Sequence, residues 1–176
     1  MDIYETIRQD HDEARGLLDM VVNTPKTDTA ALADGFGRLK RHLWIQHRVE
    51  EAVFYASLTH CDGIDLEAMQ AVHVHNLANG LLEAMDAEPI GNEAWFAHLG
   101  ELDATVRAHM DQEETAVFTE ARRHFSDDDA ALLGRSMATR LSLAKEVLEP
   151  SESLVAELDG TDGEAERSRA VELGPC

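Results

Sequence analysis

The chain repeats itself, and the repeat limits what it can fold into. His11-Asp-Glu-Ala14-Arg-Gly16-Leu17-Leu18-Asp19 returns 64 residues later as His75-Asn-Leu-Ala78-Asn-Gly80-Leu81-Leu82-Glu83, matching in histidine, alanine, glycine and both leucines. A second pair of segments matches at an offset of 63, where Leu39, Leu43, Glu50, Glu51 and Tyr55 correspond to Leu102, Val106, Glu113, Glu114 and Phe118. Each repeat is one supersecondary unit that buries its apolar face against the other, so the expected object is two similar halves.

Apolar spacing identifies the unit as a helical hairpin. Ile3, Ile7, Leu17, Leu18 and Val21 predict a first helix near residues 2 to 23, stopped by Pro25. Leu32, Phe36, Leu39, Leu43, Val53 and Phe54 predict a long second helix from Asp28 to about His60, broken at Cys61-Asp62-Gly63. A third is expected from about Asp65 to Ala87, closed by Pro89 and Gly91. A fourth follows from about Asn92 to His124 on Phe96, Leu99, Leu102, Val106 and Val117. Ser126 with Asp127, Asp128 and Asp129 opens a fifth helix that runs to about Leu148. Short connections make neighbours antiparallel. The expected fold is all-α: an up-down-up-down four-helix bundle of two similar hairpins, with an additional C-terminal helix, over residues 1–150. Residues 151–176 are acidic and hold no aromatic side chain, so they are expected to form a loose tail in which Leu154, Val155 and Leu158 extend a helical turn or two.

Charge narrows the partners. Fifteen basic against 35 acidic residues give a net charge of -20, which repels nucleic acid and anionic membrane surfaces. Cys61 and Cys176 are the only thiols and imply no disulfide framework. The sequence MDIYETIRQD lacks the pattern of a signal peptide, and no apolar run has the length of a membrane span, so a cytoplasmic location is expected. Oligomeric state is left open.

What is duplicated includes histidine and glutamate, which duplicate usefully when each half supplies part of one site. In His109-Met-Asp-Gln-Glu113 the spacing i, i+4 sets both side chains on one helical face. That face continues Leu99, Leu102 and Val106, and an ionised carboxylate pointing inward is costly unless paired or bound to a cation. His11 and His75 occupy matching contexts, and a Glu pair on the second helix brings the count toward six ligands. His60, His98 and His124 lie near helix ends or on polar faces. His73 is about 200° around the helix from His75, so both cannot face one metal.

These residues resemble the hemerythrin-like, or HHE cation-binding, domain family over roughly residues 3–125. The clearest segment is His109-Met-Asp-Gln-Glu113-Glu114-Thr-Ala-Val-Phe118-Thr119, similar to the family's His-x-x-x-Glu-Glu-x-x-x-Phe-Pro with Thr119 for the proline. Asp10-His11, Val74-His75 and Glu50-Glu51-Ala-Val-Phe54-Tyr55 resemble its other motifs. The resemblance implies a non-haem diiron centre with His11, His75 and His109 as ligands and Glu50 and Glu113 as bridges. Gln46 stands where the family has its second-helix histidine, with His47 one place later and His42 one turn earlier.

Three registers compete on the second helix. Matching His47 to His109 makes Glu51 the ligand, and matching the Glu-Glu pairs makes it Glu50. Matching Ala52-Val53-Phe54 to Ala116-Val117-Phe118 sets Glu50 opposite Glu114. The apolar series passes through Leu43, Gln46, Glu50 and Val53, which favours Glu50, with His47 reaching in at i, i+3 and His42 as its alternative. Imidazole and carboxylate donors suit iron first and manganese second. Fewer than twelve protein ligands leave positions open for oxygen, peroxide or nitric oxide. Storage, sensing, carriage and removal all fit, so whether the protein is an enzyme stays open. The rival expectation is a metal-poor bundle acting as an interaction module. No nucleophile and base occur in an arrangement typical of a hydrolase.

Overall fold

A computed structural model of the protein describes residues 1–59 and 65–148, and among them no strand occurs. Helix α1, Ile3–Asn23, starts on a capping box: Asp2 accepts from the Glu5 N–H at 2.8 Å and Glu5 accepts from the Asp2 N–H at 3.2 Å. Asp28 caps α2, Thr29–Glu50, by accepting from the Ala31 N–H at 3.0 Å. The chain then widens into a π turn, π1, over Glu51–Tyr55 before one short stretch, α3, Ala56–Leu58. The single helix expected from Asp28 to about His60 is therefore interrupted, because an i→i+5 turn takes up an extra residue without breaking the rod. His60 itself and the break at residues 61–63 lie outside the described residues.

Helix α4 spans Asp65–Ala87, and Gly91 at φ 84° turns the chain toward α5, Glu93–Gln112, capped by Asn92 on the Trp95 N–H at 2.7 Å. A second π turn, π2, over Glu113–Val117 leads into α6, Phe118–Ala121. The helix expected from Asn92 to His124 is thus interrupted in the same way as its counterpart in the first half. Ser126 caps α7, Asp127–Leu148, accepting from the Asp129 N–H at 3.2 Å. The tail from 151 onward lies outside the described residues. No described helix is long and apolar enough to cross a membrane.

Helix α1 packs on α2 and α7, α4 packs on α5, and the pairs meet through α1 with α5 and α2 with α4. Two apolar clusters result. One gathers Tyr4, Ile7, Phe54, Leu58, Phe118 and Met137, with Tyr4 edge-on to Phe118 at 5.1 Å and to Phe54 at 6.3 Å between ring centroids. The other gathers Leu18, Phe36, Leu39, Leu43, Trp95 and Leu102. Along α1 the first cluster ends at Ile7 and the second begins at Ala14, and along α4 the boundary falls between Ala71 and Ala78. His11 and His75 occupy those gaps, so buried polar residues form a layer between two oily ones. Where α7 crosses the start of α1, Gly134 lies so close that a Cβ there would sit 2.5 Å from the Asp2 carbonyl carbon.

Candidate metal centre

Five side chains converge in that polar layer. His11 of α1, Glu50 of α2, His75 of α4, His109 of α5 and Glu113 at the start of π2 are all buried. Their donor atoms form two groups, His11–Glu50–Glu113 and Glu50–His75–His109, each with its atoms within 4.8 Å of one another, and Glu50 belongs to both. Glu50 Oε1 lies 3.4 Å from His11 Nε2, and its Oε2 lies 3.4 Å from His75 Nε2. Glu113 Oε2 lies 3.3 Å from His11 Nε2 and 3.7 Å from His109 Nε2.

A second tier orients the rings. His11 Nδ1 is 2.9 Å from Glu114 Oε1, and His75 Nδ1 is 2.9 Å from Glu51 Oε1. Each Glu-Glu pair therefore splits its work: the first carboxylate points inward, and the second takes the outer nitrogen of a histidine from the other hairpin. A carboxylate on Nδ1 favours the tautomer whose Nε2 lone pair faces the centre. Arg15 holds Glu114 in turn, at 2.8 Å. The π turns begin at Glu51 and at Glu113, within one residue of each inward carboxylate in both halves, the kind of place where such turns collect.

The protein atoms alone leave this cluster unsatisfied. His11 Nε2, Glu50 Oε2 and Glu113 Oε2 are buried without a hydrogen-bond partner. His75 Nε2 and His109 Nε2 approach to 3.0 Å, and two donors at right angles on one ion, each ~2.1 Å from it, are ~3.0 Å apart. Burial and the charge of Glu50 raise the Glu113 carboxyl above its ordinary value. Burial opposes ionisation of Glu50, yet its contacts with His11 and His75 hold it well below the usual range. His11 is pulled down by burial and pushed up further by Glu113 and Glu50, to about 11, while burial and His75 lower His109 to about 3. Two buried carboxylates, one suppressing the other's ionisation, with lone pairs aimed at a common centre, are donors that a cation would reconcile. The residues present fit a bound metal cation.

The remaining expected residues lie close by. His47 is buried and stacks on His75, with ring centroids 4.0 Å apart and planes at 10°, and its Nδ1 has no hydrogen-bond partner. It belongs to neither converging group. His42 turns to Asp10, with Nε2 3.1 Å from the backbone carbonyl oxygen. Gln46 donates from Nε2 to Glu50 Oε1 at 3.0 Å. The Tyr55 hydroxyl donates to Glu113 Oε1 at 2.8 Å, a contact that sequence reasoning missed because Tyr55 entered only as a repeat partner of Phe118 and as part of a motif, with no partner of its own. The roles of Glu51 and Glu114 were also missed, although their duplication was a readable signal. Among the other histidines, His73 and His124 are exposed, and His98 is partly buried with Nδ1 unpartnered.

The family model of the hemerythrin HHE cation-binding domain matches residues 2–135, from the cap of α1 into α7. No curated protein and no solved structure matches the chain.

Proposed function

The chain belongs to the hemerythrin HHE cation-binding domain family, and from that premise we propose that it holds a non-haem diiron pair between four long helices running up-down-up-down. His11, Glu50 and Glu113 hold one iron, and Glu50, His75 and His109 hold the other, with Glu50 shared and Glu113 reaching toward both. The observation that carries this reading is Glu50, fully buried, with one oxygen on each triad at 3.4 Å. Iron bound there supplies redox chemistry toward a small molecule such as oxygen, peroxide or nitric oxide. Manganese is the weaker candidate for the same donors. The protein's own contribution is to fix Nε2 of His11 and His75 inward through Glu114 and Glu51, to hold Glu113 through Tyr55, and to cover the centre with apolar layers. His47 is a reserve donor, since its buried Nδ1 is free.

One observation favours the metal-poor alternative: Gln46 occupies an oxygen of Glu50 with an amide proton. Metal analysis decides. Purified protein reconstituted anaerobically with ferrous ion should retain about two irons per chain after gel filtration. Negligible retained iron would overturn the diiron reading in favour of an interaction module.

A further inference from the structure

We propose that Asp10, Glu13 and His42 form a second cation site, separate from the paired centre, that takes one divalent transition-metal ion in exchange for the Lys145 ammonium. Oxygens of Asp10 and Glu13 and a nitrogen of His42 lie within 4.8 Å of one another, and no donor is shared with the groups around Glu50. His42 Nε2 is 3.5 Å from Asp10 Oδ2, and His42 Nδ1 is 4.0 Å from Glu13 Oε2. Asp10 and His42 are only 3% and 7% exposed, and Asp10 Oδ2 is buried with no hydrogen-bond partner. A buried carboxylate oxygen without a donor is expensive, and its neighbours here are metal-ligating atoms.

The cation now nearest is Lys145 of α7, with Nζ 2.7 Å from Glu13 Oε2 and 3.6 Å from Asp10 Oδ1. One ammonium faces two carboxylates, so a divalent ion in its place balances both charges. Lys145 has room to leave, because its side chain is a third exposed and lines a cleft of ≈ 410 Å³ together with Glu13 and His42. That cleft also gives an ion its way in. One imidazole with two carboxylates suits ferrous, manganous or zinc ion better than calcium, which wants oxygens alone.

The test is equilibrium dialysis of the metal-free 176-residue chain against zinc, with far-UV circular dichroism as the folding control. Wild type should bind one ion more than His42→Ala, and Glu50→Gln should lose ions of the paired centre while keeping this one. Lys145→Met removes the competing charge and should tighten the extra ion roughly tenfold. Glu13 is on the exposed rim, so Glu13→Gln keeps the test alive if His42→Ala misfolds, and it should weaken the same ion roughly tenfold. Unchanged stoichiometry and affinity in the folded Glu13 and His42 variants, or weaker binding in Lys145→Met, would overturn the proposal. Wild type that binds the extra ion but none at the paired centre would count against the diiron reading alone.

Discussion

Replacing Glu50 by Gln tests the centre at the point where its two halves meet. The change keeps shape and volume, and the new amide oxygen can still accept from Gln46, so the fold should tolerate it. What it removes is a negative charge felt at two places and one of the two inner oxygen donors, since Glu50 stands 3.4 Å from both His11 Nε2 and His75 Nε2. Glu51→Gln is the natural comparison, because Glu51 touches one ring from outside, at His75 Nδ1. Loss of such an outer partner costs about 10–100-fold in metal affinity. Losing the charge beside both ions and one inner oxygen costs at least as much, so Glu50→Gln should weaken the pair by at least about 10²-fold. Dialysis of both variants against a competing iron chelator, followed by mass-spectrometric iron counts per chain, reads the difference directly. Equal losses, or a larger loss in Glu51→Gln, would refute the assignment of Glu50 to the interior and Glu51 to its support.

Other outcomes follow from the same structure. His11, which burial opposes but Glu113 and Glu50 raise to about 11, stabilises the metal-free fold fully below its ordinary 6.5, and this is lost as pH rises toward 11. His109, lowered to about 3 by burial and His75, contributes fully above 6.5 and loses this as pH falls toward 3, so thermal melts of metal-free protein should peak near pH 6.5; a monotonic profile would contradict it. Iron must displace the His11 proton, so iron affinity should rise over the alkaline range where the metal-free fold weakens. Gly134→Ala drives a Cβ to 2.5 Å from the Asp2 carbonyl carbon. Separating α7 from α1 should cost roughly 1–3 kcal/mol and lower Tm by roughly 3–10 °C, whereas an unchanged Tm would argue against this crossing. Ending the chain after Pro150 should leave iron content intact and Tm within about 2 °C, and loss of either would give the tail a structural part.

The helices were legible because their signals are local. Asp28, Asn92 and Ser126 cap where a short polar side chain precedes an apolar series, and Gly91 turns where the pattern stops. Glu50 was legible as the centre of the buried stripe, and it is fully buried while Glu51 is partly exposed. The π turns were not legible. An added residue in a helix changes no composition, and its trace in the apolar rhythm is an ambiguity of one place, which is why three registers competed on α2. Two of those registers each describe something real: the Glu-Glu pairs act alike on His75 and His11, while Phe54 and Phe118 both pack on Tyr4. Tyr55 was not legible as a partner of Glu113, because that hydrogen bond depends on how the hairpins face each other, whereas Gln46 and Glu50, at i, i+4 on one stripe, were legible as neighbours.

The paired π turns bear on how this chain tolerates changes in its length. Each holds a surplus residue, so deleting one residue within Glu51–Tyr55 or Glu113–Val117 lets the turn close to ordinary α geometry while the helix on both sides keeps its face. The same deletion in the middle of α2 would rotate all that follows by about 100° and turn its buried stripe outward. Single deletions should therefore be survivable beside the inward carboxylates and ruinous elsewhere in the long helices. A single deletion there could shift Glu51 or Glu114 off its histidine and leave both apolar layers packed, giving a folded bundle that binds metal poorly in one mutational step.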